Sequence, residues 1–244
     1  MSGPSLDLEK PNALGGLDRL VTNFALALIA VVPTFLTCVV RPRRLTPLLK
    51  KDDPDGRDGM LLAPGAFFPL VLLVAFFVAA LLATPETLRT NGSFIGPDLA
   101  VAVQSAAAEG DVWKVIGTIL PLYIMAIFVG VLGAILKPWA GENWTLRVSL
   151  RAAFYVSGAL VSWLLLTSAG LDLYRVSTGR QNVGGLIYGV FVIPTLLVII
   201  RMYFSFFRDG GSVSKVKSGA LSLAMIGLFF APIILTDLLM RITS

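Results

Sequence analysis

The side chains that do most enzyme chemistry are nearly absent from this chain. It has no histidine, and Cys38 is its one cysteine. Without imidazole, and with a single thiol, it builds no zinc, soft-metal or haem site, no disulfide and no histidine-dependent nucleophile of its own. No metal and no cofactor are expected. Cys38, near the end of an apolar stretch, is expected to be a buried and inert thiol. A Ser–Lys or paired-carboxylate arrangement survives by counting alone. Yet the acids and lysines fall in the joins between apolar stretches, whereas a shielded site would hold them inside. The chain is therefore read as a non-enzyme, with no catalytic residue to name.

A different chemistry is on offer from its cations. Arg41-Pro42-Arg43-Arg44 and Lys50-Lys51 precede an acidic run of Asp52, Asp53, Asp55 and Asp58. Beside a bilayer, such cations attract anionic headgroups at about 1 kcal/mol each. Farther on, Arg201 and Arg208 bracket Tyr203, Phe204, Phe206 and Phe207. That is the pattern of a snorkelling arginine beside an aromatic belt. Arg41, Arg43, Arg44, Lys50, Lys51, Arg201 and Arg208 are thus the expected membrane-anchor and headgroup residues. The plainer reading makes them topology determinants only. The formal net charge of +5 is read in the same way, as topology and not as nucleic-acid binding. Asp237 and Arg241, four apart, can pair at the end of the last helix.

What must position these cations is a set of charge-free stretches at 20–40, 59–85, 115–136, 152–171, 181–200 and 218–236. Crossing a hydrocarbon core roughly 30 Å thick takes about 20 apolar residues. Backbone groups there must satisfy one another, so the stretches are read as helices. The expected fold is an all-α integral membrane protein. It has five transmembrane helices plus an N-terminal hydrophobic helix that either spans or lies in the interface. Residues 1–244 form a single membrane domain: a tail (1–16), that first helix (17–40), a cytoplasmic basic join (41–60) and a five-helix bundle (61–240) with an outside helical join (86–114).

Local details follow from the same pattern. Leu17, Leu20, Val21, Phe24 and Leu28 share one helix face and Asp18, Arg19, Thr22 and Asn23 take the other, an amphipathic start. Pro33-Thr34 is expected to kink the helix. Leu45, Leu48 and Leu49 are placed to rest on the membrane. Trp139 and Trp144, with Arg147 and Arg151 beyond them, read as interface anchors. Gly158 with Ser162, and Gly185 with Gly189, stand at the spacing that lets helix backbones approach. The expected seam joins the fourth and fifth stretches, and self-association through the same faces is the alternative.

Lys and Arg concentrate in cytoplasmic joins. With the Arg41 join inside and the first helix spanning, inside segments hold 13 basic residues and outside segments seven. With the first helix in the interface, Lys10 and Arg19 move inside and the split is 15 to five. Either way 41–60, 137–151 and 201–217 face the cytoplasm and the C-terminus faces out. An excess of Arg over Lys with many Ala, Val and Gly points to a GC-rich bacterium, hence its inner (plasma) membrane.

The run from an apolar or amphipathic helix through Arg41-Pro42-Arg43-Arg44 and a charged join to a proline-led apolar helix (Pro64-Gly65-Ala66-Phe67-Phe68-Pro69) resembles bacterial members of the Yip-domain membrane protein group. Their eukaryotic relatives bind Rab-type GTPases in vesicle traffic. The motif support covers about residues 20–70. Tyr188-Gly189 and Gly96-Pro97 align with no family signature. The resemblance implies a cytoplasmic N-terminal segment, five spans, an outward C-terminus and a small accessory protein with no catalytic residues.

Three functions compete. A non-catalytic scaffold or accessory subunit, whose partners are membrane lipids, other membrane proteins or a second copy of itself, fits the small-residue helix faces and short joins. A small permease or channel subunit fits the prolines in five of the six stretches (Pro33, Pro64 and Pro69, Pro121, Pro194, Pro232). Against it, only Asn23, Gln104 and hydroxyl residues stand where transporters keep costly polar groups. An interfacial lipid-modifying enzyme needs an acid cluster with a partner motif, and Asp52 to Asp58 has none. The scaffold is the favoured reading.

Overall fold

The computed structural model describes residues 13–50, 61–82, 112–178 and 193–228. Every regular element among them is helical. In chain order these are α1 (Ala13–Val40), a 3₁₀ turn (Pro42–Leu45), α2 (Thr46–Lys50), α3 (Pro64–Leu82), α4 (Val112–Ala134), α5 (Lys137–Ala140), α6 (Leu146–Thr178), α7 (Ile193–Ser205), a π-helical turn (Phe206–Gly210) and α8 (215–228). Residues 1–12 of the tail, most of the 86–114 join, Lys51 with the acidic run, Gly185, Gly189 and the Asp237/Arg241 pair lie outside the described residues, while the last four residues assigned to the tail, 13–16, belong to α1.

Among the described helices, α1 is the one with a stretch, Val21–Val40, long and apolar enough to cross a membrane. Shorter apolar helical runs cover Pro64–Ala75 and Leu120–Ala134. α1 continues through Pro33 as one helix. The hydroxyls of Thr34 and Thr37 donate to the carbonyls of Ala30 (2.7 Å) and Pro33 (2.6 Å), one turn back. Proline leads α3 at its first position, where its missing N–H is no loss.

The core forms around α6. Every residue from Ala152 to Ser162 except Phe154 is buried, so this helix is covered nearly all round. It packs on α3 and α4, and also touches α1, α2 and α7. Small residues make this possible. A Cβ on Gly130 would sit 2.8 Å from the Cα of Leu150, so α4 and α6 approach backbone to backbone there. The Ser149 hydroxyl spans the same seam, donating to the Gly130 carbonyl at 2.7 Å.

Gly158 and Ser162 face α3. A Cβ on Gly158 would meet Phe67 and Val71 at 3.1 Å and Phe68 at 3.2 Å, while the Ser162 hydroxyl donates to the Val71 carbonyl at 3.4 Å. The glycine thus makes room for large rings, a different use from the small-against-small seam expected with the fifth stretch.

Three local expectations are corrected. Trp144 is fully buried and no headgroup anchor, whereas Trp139 is 56% exposed. Tyr203, Phe206 and Phe207 are core residues, so they form no aromatic belt. Leu45, Leu48 and Leu49 are buried in protein, not laid on a surface. The cause is common to all three: the joins that carry them pack against one another.

Candidate membrane-proximal basic face

The described parts of three joins, 41–50, 137–151 and 201–217, meet at one end of the bundle. Trp144 is their hub. Its indole N–H donates to the Gly133 carbonyl at 3.0 Å, and its ring lies 4.3 Å from that of Phe207. Such a ring pair adds about 1 kcal/mol beyond its buried area. Phe207 stacks in turn on Tyr203 at 6.1 Å. The π-turn brings these rings inward. It closes where the Gly211 N–H donates to the carbonyls of Phe206 (3.3 Å) and Phe207 (2.9 Å). Glycine is required where two joins touch: Gly141 has φ +93°, and a Cβ there would lie 3.0 Å from the Gly211 carbonyl oxygen.

Two arginines bond to helix ends. Arg151 donates through Nη1 to the carbonyls of Leu48 (3.3 Å) and Leu49 (3.1 Å), which α2 is too short to satisfy itself. Arg201 donates through Nη2 to the Val40 carbonyl at 2.6 Å, closing the C-terminus of α1. Arg43 pairs with Asp209 at 3.3 Å, tying the 3₁₀ turn to the π-turn. Their side chains are 57% and 34% exposed, so the pair contributes under about 1 kcal/mol.

Re-entry of the chain into the bundle is held as firmly. The buried Leu62, just before α3, donates its N–H to the Thr34 hydroxyl at 3.0 Å and accepts from the Tyr155 hydroxyl at 2.5 Å. Irregular backbone buried in protein needs both groups satisfied. One phenol is less fortunate. Tyr203 is fully buried, its hydroxyl has no hydrogen-bond partner, and burial pushes its pKa above the ordinary value.

Of the expected anchors, Arg41, Arg43, Arg44, Lys50 and Arg201 are exposed at this end and Arg208 is half-buried. The described parts of the three joins carry eleven Lys and Arg against two acids, Glu142 and Asp209. Sequence reasoning missed the hub role of Trp144 and the latch roles of Arg151, Tyr155 and Thr34. A lone Tyr inside an apolar helix was the available signal for Tyr155, since a buried phenol usually needs a partner. Among the described residues no group of three His, Cys, Asp or Glu could hold a metal. The arrangement offers cations to an anionic surface. Compared with known proteins, the chain matches no family model, no curated protein and no solved structure.

Proposed function

We propose that this chain is a non-catalytic scaffold or accessory subunit of a bacterial inner membrane, associating there with lipids and other membrane proteins. The observation that carries the reading is the convergence of joins 41–50, 137–151 and 201–217 in one packed, net-basic end. In a chain that crosses a bilayer repeatedly, every second join returns to the same side. The meeting of these three supports five spans from α3 onward, and their basic excess favours a cytoplasmic location with the C-terminus outside.

The outward helix faces support a lipid setting. On α4, Leu120, Ile124, Ile127, Phe128 and Val131 share one exposed face. On α1, Val21, Ile29, Val32, Leu36 and Val40 do the same, opposite the buried Val31, Thr34 and Cys38. Apolar stripes of this size are rare on proteins surrounded by water. The Yip-group resemblance fits the reading, and we include membership of that group in the proposal. Affinity purification in mild detergent followed by mass spectrometry tests it. A stoichiometric membrane-protein partner is expected; a lone monomer that gains thermal stability with a small solute would replace the scaffold by a permease.

A further inference from the structure

The sequence leaves two settings for α1, across the membrane or along its surface. They differ in what each side of the helix must meet. A helix lying in the interface keeps a charged or polar face towards water and buries its apolar face alone. From Phe24 onward α1 has no such face. Residues 20–40 carry no charge, and every exposed position from Phe24 to Val40 is apolar, Ile29, Val32 and Leu36 among them. Its hydroxyls are turned inward or back on the helix: Thr34 is buried against Leu62, and Thr37 donates to the Pro33 carbonyl.

Its bonds give the direction. At the basic end the Val40 carbonyl is held by Arg201. One to two turns back, about 9 Å along the axis, Thr34 accepts the Leu62 N–H, and the Leu62 carbonyl accepts the Tyr155 hydroxyl. Along α6, Tyr155 likewise lies one turn deeper than Arg151, which bonds to α2 at the basic end. The two helices therefore leave that end side by side, whereas a helix lying flat would meet α6 near its start only. Building on the membrane reading above, we infer that α1 also crosses the bilayer, making six spans, with the N-terminus outside and its exposed side against lipid acyl chains. Val21–Val40 is 20 residues, about 30 Å of helix, the thickness of the hydrocarbon core. Charged residues stand just beyond both ends of the run, Arg19 before it and Arg41 after it. Lys10 and Arg19 then lie outside, and the 13-to-seven split is still basic on the inside. The layout implied by the Yip-group resemblance gains a span and loses its cytoplasmic N-terminal segment.

The test uses the full chain with Cys38→Ala, in cells, carrying one new cysteine at a time. An impermeant maleimide on intact cells is expected to label Ser5→Cys and Asn12→Cys as fully as Ser93→Cys. Gly56→Cys should react only after the membrane is opened. The tail is compared with Gly56→Cys, so the result reads the crossing of α1 whichever way the bundle faces. Labelling of either tail cysteine on the side opposite Gly56→Cys supports the span. Tail cysteines that both follow Gly56→Cys, protected when it is protected and labelled when it is labelled, overturn the span and put α1 in the interface. Alkaline carbonate extraction of the parent chain separates this result from the membrane reading. A chain that stays with the membrane while its tail follows Gly56→Cys loses only the additional span. A chain released into solution loses the membrane reading, and this inference with it.

Discussion

At the scale of single residues, the same amino acid does opposite work according to what surrounds it. Gly158 is closed in by Phe67, Phe68 and Val71, whereas a Cβ on Gly219 of α8 would meet nothing within 4 Å. Replacing Gly158 by Leu should therefore overpack the α3–α6 seam and destabilise the protein by about 3 kcal/mol. Gly219→Ala should stabilise by about 0.5 kcal/mol, because only the flexibility of glycine in a helix is removed. Thermal melts in mild detergent distinguish them; a Gly158→Leu protein melting with the parent would mean that α3 is not its neighbour. Tyr203 gives a change of the other sign. Its buried hydroxyl has no partner, so Tyr203→Phe should raise stability by about 1 kcal/mol. The pH dependence follows from the raised pKa. The neutral phenol's contribution is complete below the ordinary value of 10.0 and is lost as pH rises beyond it towards the folded-state pKa. The parent should lose more stability than Tyr203→Phe between pH 9 and 11, and equal slopes would show that the phenol is reached by water.

At the scale of elements, short helices hold their places through bonds made by distant side chains. α2 spans five residues and cannot satisfy its own last carbonyls, so it depends on Arg151 of α6. Arg151→Gln should cost about 2 kcal/mol and speed amide hydrogen exchange across 46–50. Arg43→Gln, which removes an exposed pair with Asp209, should change stability by less than about 1 kcal/mol. If the two variants exchange alike, the latch has been misidentified. The existence of α1, α3, α4 and α6 was legible in the apolar stretches, since hydrocarbon-like runs of that length have few other ways to satisfy their backbone. Which face of α6 meets which helix was not. Gly158 and Ser162 show one small-residue stripe in the sequence, and nothing in its spacing says whether rings or other glycines will fill the gap.

At the scale of the whole molecule, the proposed orientation rests on the arrangement of joins. In a Cys38→Ala background, an impermeant maleimide applied to intact cells should label Ser93→Cys in the 86–114 join and leave Gly56→Cys in the 41–60 join unmodified. The reverse pattern would overturn the proposed orientation. Changing Arg41, Arg43 and Arg44 together to Gln should lower insertion fidelity or partner recovery, with about 1 kcal/mol of surface attraction lost per charge. Unchanged topology, abundance and partner yield would reduce these residues to solvated loop charges.

Composition and patterning by themselves determined that the chain is helical, that Cys38 is buried, and that cations gather in a few short joins. These properties are local or additive: an apolar run of about 20 residues carries its own helical preference, and a missing histidine is missing in any fold. Only the tertiary structure decided that 41–50, 137–151 and 201–217 form one end, with Trp144 and Phe207 stacked inside it and Arg151 holding α2. Aromatic residues near a helix end have the same sequence signature whether they lie in a headgroup layer or under a neighbouring loop. The difference is made by packing between segments tens of residues apart, such as the 102 residues that separate Arg151 from Leu49. That information belongs to the fold and not to any window of the sequence.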